Sequence, residues 1–341
     1  MSSLSIRVFF CISALLSSSF LYAQEYIPSS STGQVIHHAH YSLSYSEAHE
    51  QAEWVYYELT AFEASNNRYK RTDNFREDYK IRSESAGLSD YRGSGYDRGH
   101  LAPAGDMAFS NIAMSESFYM SNMSPQHPSF NRGLWRQLES LTRAWASEYS
   151  ALYIATGAIL EPNLRTIGAN QVSIPNYYFK AIMDYDETSG DYRAIAFILP
   201  NRKGKGSLQS YVVSIDNLES RTGIDFYPQL SDEVENRIEA NYDLDNWNWS
   251  AKSVKNYSSS STVPAAQCRG NTKKGSRCKN KTKNESKYCY LHESQINEGE
   301  NKSAHEKRTT SVRCSGTTKA GSRCKRKTLS ANGKCWQHAG D

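Results

Sequence analysis

The middle of the chain carries apolar side chains with two different spacings. Short apolar or alternating runs, which are typical of strands, occur at Glu53–Leu59, Leu152–Thr156, Tyr177–Met183, Tyr192–Leu199 and Tyr211–Ile215. Helical spacing predicts a helix over residues 132–148, with shorter helices at Ile215–Arg221 and Asp232–Ala240. Long strands with few helices between them predict an α+β fold with a mainly antiparallel sheet.

The domain boundaries follow from where this patterning starts and stops. It begins near Tyr45 and ends about Trp249, so we predict one folded domain over residues 45–250, preceded by an approach segment over residues 24–44. Residues 251–266 are rich in Ser and poor in apolar side chains, a composition that is typical of a flexible linker.

The start of the chain has the features of a secretory signal peptide. Arg7 precedes the apolar run Val8–Leu16, and the small residue Ala23 marks a cleavage point, so we predict that residues 1–23 are removed. The run is much shorter than the roughly 20 residues of a spanning helix, and no later segment could cross a bilayer. We therefore predict a secreted or periplasmic protein with no stable membrane insertion after cleavage.

The end of the chain consists of two copies of one small module. Three Cys and one His recur at a period of 46 residues: Cys268, Cys278, Cys289 and His292, then Cys314, Cys324, Cys335 and His338. This places repeat 1 at residues 267–295 and repeat 2 at residues 313–341, with a linker over residues 296–312 between them.

Charge divides the chain at the same place. Residues 262–341 contain 18 Lys and Arg against 6 Asp and Glu, a net charge of +12, whereas the rest has 22 against 30, a net charge of −8. A basic tail favours binding to a polyanion such as nucleic acid, because phosphates neutralised by Lys and Arg release their counterions. The alternative is a solvated tail that binds no ligand. The predicted nucleic-acid contacts are Lys273, Lys274, Arg277, Arg323, Lys325 and Arg326.

Residue types suited to phosphodiester hydrolysis are concentrated between Asp97 and Glu139. The ordinary pKa of a histidine lies close to neutrality, which suits His100 to accept a proton from water. The side-chain oxygen of Asn131 is a hard, neutral ligand of the kind that Mg²⁺ accepts. Glu139 follows eight residues later, about two helical turns, so the two side chains can share a face of the 132–148 helix if that helix begins near Asn131.

These residues are part of a longer pattern. The segments Asp97–His100, Ala102–Pro103, Asn122–Gln126, Asn131–Trp135, Leu138–Glu139, Tyr153–Gly157 and Leu218–Gly223 resemble the DNA/RNA non-specific endonuclease family, over about residues 45–250. The resemblance implies a ββα-metal finger core, with His100 on a strand and Asn131 at the start of the helix. It also implies a phosphodiester hydrolase that cuts DNA and RNA without sequence specificity and leaves 5′-phosphate ends.

The same resemblance assigns roles to individual residues. His100 would be the general base, and Asn131 would be the protein ligand of one Mg²⁺ or Mn²⁺. Asn122 would orient His100 or the phosphate, and Glu139 would hydrogen-bond water held by the cation. Arg98 would contact the phosphate or stabilise its transition state.

The family has another phosphate-contacting arginine upstream of the finger. Arg71 matches its setting best, and Arg68, Arg76 and Arg82 are close enough in the sequence to remain alternatives.

Each terminal repeat needs a cross-link, because about thirty polar residues cannot build a stable core. Three Cys and one His, the last two spaced Cys-x-x-His, can supply a tetrahedral Zn²⁺ site. Disulfides are the alternative in an exported protein, but three Cys per repeat is an odd number, and disulfides leave the His unexplained. We therefore favour zinc over disulfides.

Three functions are compatible with this sequence. The first is an exported nuclease whose tail raises the local concentration of its substrate. The second is a catalytically silent nucleic-acid-binding protein, against which the intact His100, Asn131 and Glu139 argue. The third is an interbacterial toxin with a docking tail. Candidate partners are DNA, RNA, an inhibitor or immunity protein, and a second copy in a homodimer.

Overall fold

A computed structural model describes residues 26–83, 85–186, 189–252, 266–272, 275–282, 287, 288, 292, 312, 313, 327 and 328. The chain divides into two units, Met1–Thr262 and Val263–Asp341. The predicted signal peptide lies outside the described residues, as do most of the linkers predicted at 251–266 and 296–312.

The first unit is built from eleven described strands and seven described α-helices. The strands are β1 (Val35–His37), β2 (Ser42–Ser46), β3 (Gln51–Thr60), β4 (Asp97–His100), β5 (Met123–Gln126), β6 (Ala151–Ala158), β7 (Thr166–Ile167), β8 (Val172–Ser173), β9 (Tyr177–Asp186), β10 (Asp191–Pro200) and β11 (Val212–Val213). The helices are α1 (Ala61–Ser65), α2 (Leu88–Tyr91), α3 (Asn111–Glu116), α4 (Pro128–Phe130), α5 (Arg136–Glu148), α6 (Ile215–Thr222) and α7 (Asp232–Glu239).

A seven-stranded sheet forms the centre of this unit, in the order β1-β2-β3-β6-β9-β10-β11. All of its neighbouring strands are antiparallel. Because successive side chains of a strand point to opposite faces, β9 supplies two cores. Tyr178 and Ile182 join the core that contains Trp145 of α5, whereas Phe179 and Met183 join the core beneath α6 and α7. Both faces of the sheet are therefore buried.

A two-stranded hairpin, which we call the finger sheet, carries the candidate site. β4 pairs with β5 in an antiparallel register that sets Asp97 opposite Gln126 and His100 opposite Met123. A Cβ atom on Gly99 would lie 2.1 Å from the buried side chain of Gln126, so glycine is required beside His100. The chain after β5 continues into α4 and α5, which gives the ββα arrangement.

The predicted α+β class and the mainly antiparallel sheet are confirmed. Four of the five strands predicted from the sequence are present and slightly longer than expected, and the fifth, at Tyr211–Ile215, is limited to β11. β1 lies inside the segment predicted as the approach to the domain, β2 begins within it, and Tyr26 is buried as well, so the folded part begins before residue 45.

The helix predicted over residues 132–148 is interrupted. Asn131–Trp135 form a π-helical turn in which Gly133 has a non-helical backbone, and the regular helix begins at Arg136. Glycine has no Cβ atom, so it accepts backbone conformations that helix-forming residues avoid. The condition for Asn131 and Glu139 to share a face of that helix, a start near Asn131, is therefore not met. Among the described residues, no helix has both the length and the apolar character to span a membrane.

Candidate active site

His100 is the last residue of β4, and its imidazole is enclosed by aromatic rings. Its ring centroid lies 5.0 Å from that of Phe118, edge to face, and 5.9 Å from that of Phe75. Its Nε2 atom is buried and has no hydrogen-bond partner among the described residues. Buried polar atoms are nearly always paired, so such an exception points to a functional position.

Two arginines lie over the same two rings. The guanidinium of Arg98 is 3.9 Å from the ring centroid of Phe75, and that of Arg71 is 4.8 Å from that of Phe118. Burial, followed by the positive charges of Arg71 and Arg98, lowers the pKa of His100 to about 3. The imidazole is therefore neutral at neutral pH and keeps a lone pair that can accept a proton.

The other upstream arginines have different surroundings. Arg76 lies 3.9 Å from the ring centroid of Tyr119 and donates to the backbone carbonyl of Ser115. Arg68 is 6.0 Å from the ring centroid of Phe62, and the backbone N–H of Arg82 donates to Gln34. Of the four candidates, Arg71 is the one whose charge acts on both His100 and Glu139.

Asn131 is tied to the strand that ends at His100. Its Nδ2 atom donates to the Oδ2 atom of Asp97 at 2.9 Å, and Arg132 donates to both oxygens of the same carboxylate. Asp97 and His100 stand at the two ends of β4, so their Cα atoms are about 10 Å apart along an extended strand. The side-chain oxygen of Asn131 accepts no hydrogen bond from the described residues, which suits it to a hard cation.

Glu139 is a partly exposed carboxylate in the first turn of α5. It forms no hydrogen bond within the described part of the chain, and its pKa is raised to about 7. Burial is the main cause; Asp106 adds to the shift, whereas Arg143, Lys180 and Arg71 oppose it. The neutral side-chain oxygen of Asn131 is of the kind that Mg²⁺ or Mn²⁺ accepts, and a divalent cation near Glu139 would favour the charged form of its carboxylate.

Asn122 is buried, and its amide group is used within the protein. Its Oδ1 atom accepts from the backbone N–H of Ala102, and its Nδ2 atom donates to the carbonyls of Ala102 and Ser117. Ala102 follows His100 by two residues. The contacts of Asn122 therefore hold the backbone beside His100, which fits an orienting role and leaves no donor for a phosphate.

Sequence reasoning missed a group of charged residues beneath Glu139. Asp106 accepts from the hydroxyl of Tyr57 at 2.7 Å and from Arg143 at 2.5 Å. Lys180 is fully buried on β9, donates to Thr156, and lies 5.4 Å from the ring centroid of Trp135. A lysine inside the apolar run Tyr177–Met183 was the signal available in the sequence, because lysine is almost never buried without a polar partner.

The residues predicted in the terminal repeats are only partly described. Cys268, Cys278 and His292 lie together in repeat 1, and Arg277 is exposed beside them. The other predicted ligands and contacts lie outside the described residues: Cys289, Cys314, Cys324, Cys335, His338, Lys273, Lys274, Arg323, Lys325 and Arg326.

Comparison with known proteins gives consistent matches. The family model for DNA/RNA non-specific endonucleases matches residues 21–233. Human endonuclease G is 31% identical over 203 residues, which cover 56% of this chain and 68% of that protein. A nuclease of Nostoc sp. is 34% identical over 216 residues, covering 60% and 76%.

Two further matches define how much of each protein is shared. The mitochondrial nuclease EXOG of Danio rerio is 32% identical over 202 residues, 55% of this chain and 59% of that nuclease. The chain thus spans less than two thirds of that relative. The solved structure titled "Crystal structure of the EndoG/EndoGI complex: Mechanism of EndoG inhibition" aligns with a TM-score of 0.56 and 30% identity, over 60% of this chain and 90% of that one.

Proposed function

The chain belongs to the DNA/RNA non-specific endonuclease family, and from this premise we propose that it hydrolyses phosphodiester bonds of DNA and RNA without sequence specificity. One observation supports this most directly. A neutral, buried imidazole, His100, lies beside two arginines, on a strand whose first residue holds Asn131. These are the groups that water activation, charge neutralisation and cation binding require.

In the proposed mechanism, His100 takes a proton from the attacking water. Its low pKa in the free protein is due in part to Arg71 and Arg98. A phosphate seated between these arginines would offset their positive charge and so raise the pKa of His100 toward the value that suits a general base. Binding of the substrate and activation of the base would then depend on the same two side chains.

Asn131 is the proposed protein ligand of Mg²⁺ or Mn²⁺, and Glu139 is the proposed hydrogen-bond acceptor for water held by the cation. When bound, the cation supplies Lewis-acid stabilisation of the negative charge that develops on the phosphate oxygens. Asp97 fixes the amide of Asn131, and Arg132 in turn holds Asp97. Asn122 keeps the backbone after His100 in place. In-line attack of water with a departing 3′ oxygen would leave 5′-phosphate and 3′-hydroxyl ends.

Export is part of the proposal and rests on the signal-like residues 1–23. The mass of the protein recovered from cells tests it, because removal of those residues would leave Gln24 as the first residue. The tail is proposed to hold nucleic acid near the site by its positive charge.

Two rival functions and two further partners stay hypotheses. If the chain is a toxin, an inhibitor or immunity protein that binds it is expected as a partner. The solved structure of EndoG bound to EndoGI makes an inhibitor a reasonable partner to test. A homodimer stays a prediction.

The test is digestion of supercoiled plasmid and of a structured RNA by the mature protein, with Mg²⁺ or with EDTA. We expect cutting with Mg²⁺, none with EDTA, and a loss in kcat/KM of about 10²–10⁴-fold for His100→Ala. His37→Ala, which removes an exposed histidine of β1, is the matched control and should retain the parental rate.

The same samples separate the alternatives. His100→Ala should still bind DNA in EDTA and melt near the parental temperature, which shows that the loss is chemical. Cutting by His100→Ala at the parental rate would reject the base assignment. A wild-type protein that binds but never cuts in Mg²⁺ or Mn²⁺ would support the silent binding protein instead.

A further inference from the structure

Repeat 1 forms a short hairpin that brings two cysteines together. β12 (Ala266–Gln267) pairs with β13 (Lys281–Thr282), and the backbone N–H groups of Cys268 and Cys278 donate to the carbonyls of Asn280 and Gly270, both at 2.8 Å. The ten-residue spacing of the cysteines thus becomes a contact across the hairpin. The side chains of both cysteines and of His292 are almost fully withdrawn from solvent.

The three candidate ligand atoms are close enough to one another to share one ion. They lie within 4.8 Å of one another, and the Sγ atom of Cys268 is 3.6 Å from the Nδ1 atom of His292. Zn–S and Zn–N bonds of about 2.3 and 2.0–2.1 Å at the tetrahedral angle place sulfur and nitrogen about 3.5–3.6 Å apart. We propose that Cys268, Cys278 and His292 are ligands of a structural Zn²⁺ ion.

Backbone hydrogen bonds to both sulfurs support this assignment. The N–H of Gly270 points to the Sγ atom of Cys268 at 3.3 Å, and the N–H of Asn280 points to that of Cys278 at 3.4 Å. Each donor lies two residues after its cysteine, so the two halves of the hairpin present their sulfurs in the same way. Such donors stabilise the negative charge that a thiolate carries when it binds a metal.

A disulfide accounts for these observations less well. The two sulfurs of a disulfide lie about 2.05 Å apart, and a disulfide does not explain why an imidazole lies beside them. Within the described residues, no disulfide joins Cys268 to Cys278. The apolar cluster of the described part of repeat 1 consists of these two cysteines alone, so a bound ion would supply the cohesion that a small core cannot.

Repeat 2 has the same hairpin register. β14 (Val312–Arg313) pairs with β15 (Lys327–Thr328), so that Val312 faces Thr328, as Ala266 faces Thr282. Each strand residue of repeat 1, at positions 266, 267, 281 and 282, lies 46 residues before its counterpart in repeat 2, which is the period that separates the Cys and His sets. The two repeats therefore share a hairpin register, and a second Zn²⁺ in repeat 2 stays a prediction from the spacing of its Cys and His, which lie outside the described residues.

Metal analysis of the full chain under non-reducing conditions, together with a count of reactive thiols after denaturation, tests the proposal. We expect one Zn²⁺ per repeat and reduced thiols. Cys278→Ser should lose the zinc of repeat 1, and Cys278→Ser combined with Cys324→Ser should lose both. Ser276→Ala, an exposed change in the same hairpin loop, is the matched control and should keep both ions.

A second readout covers the case in which the cysteine variants fail to fold. Co²⁺ exchanged into the wild-type protein should give thiolate-to-cobalt charge-transfer absorption and the visible bands of a tetrahedral site. A zinc-free, fully oxidised tail, or Cys278→Ser that keeps both ions, would overturn the proposal. His100→Ala should retain full zinc content, so failure of the nuclease proposal and failure of the zinc proposal are distinguishable.

Discussion

The two faces of the central sheet both bury ionisable groups, but they balance the charge in different ways. On the α5 face, Asp106 accepts hydrogen bonds from Arg143 and Tyr57, and Lys180 lies close enough to lower the pKa of Glu139. On the opposite face, α6 and α7 bring together carboxylates. The pKa of Glu239 is raised to about 9 by burial and by four other acidic residues: Glu219, Glu235, Asp216 and Asp225.

This difference shows why buried charge alone does not identify an active site. On the α5 face, Arg143 and Lys180 oppose the rise that burial causes in the pKa of Glu139, and Arg143 donates to Asp106, so opposite charges partly offset one another. Like charges on the opposite face favour uptake of a proton, which makes Glu239 a titrating group with no evident chemical partner. We therefore expect substitutions on the first face to change activity or folding, and substitutions on the second to change the pH dependence of stability.

The largest expected effect is the loss of the Asp106 carboxylate. Asp106→Leu leaves the guanidinium of Arg143 mostly buried without its partner, so the free energy of unfolding should fall by about 3–5 kcal/mol. Urea denaturation measures it. The double variant Asp106→Leu/Arg143→Met should recover most of the loss, because both charges are then gone. If the loss in the double variant equals the sum of the losses in Asp106→Leu and in Arg143→Met alone, the two side chains are not coupled.

Glu139→Gln should have the next largest effect, and on activity rather than on folding. The change removes a negative charge beside the proposed cation site, so we expect kcat/KM to fall by about 10–100-fold and the Mg²⁺ requirement to rise. Plasmid cleavage over a range of Mg²⁺ concentrations measures both. Glu239→Gln is the matched control on the opposite face and should cut at the parental rate. A parental Mg²⁺ requirement in Glu139→Gln would contradict the assigned role.

The smallest expected effect is the gain in stability of Glu239→Gln at high pH. The folded protein raises the pKa of Glu239 from the ordinary 4.5 to about 9, so between these values it binds the proton more tightly than the unfolded chain does. Stability of the wild type should therefore decline as pH rises through this window. The variant should exceed the wild type by on the order of 1–2 kcal/mol near pH 9 and equal it near pH 4. Parallel curves from pH 4 to pH 9 would exclude this account.

Prediction from the sequence succeeded where a pattern is local. Apolar runs rich in aromatic and β-branched side chains identified the long strands of the sheet, because strands buried on both faces carry apolar residues at nearly every position. The finger motif identified His100 and Asn131 as candidates, since their residue types match the chemistry. Prediction was less accurate at the edge strand β1 and its neighbour β2, which are short and partly polar. It was also less accurate at Gly133, where apolar residues at helical spacing continue across a break in the helix.

The sequence alone determined the fold class, the repeated Cys/His spacing and the residue types available for hydrolysis, because each follows from the order of side chains along the chain. The tertiary structure alone decided that Arg71, among the upstream arginines, acts on His100 together with Arg98. It also decided that Asn131 donates to Asp97, and that Asp106, Arg143 and Lys180 act on Glu139. Such electrostatic neighbours come from separate segments. Their effect depends on distance and burial, and only the folded backbone sets these quantities.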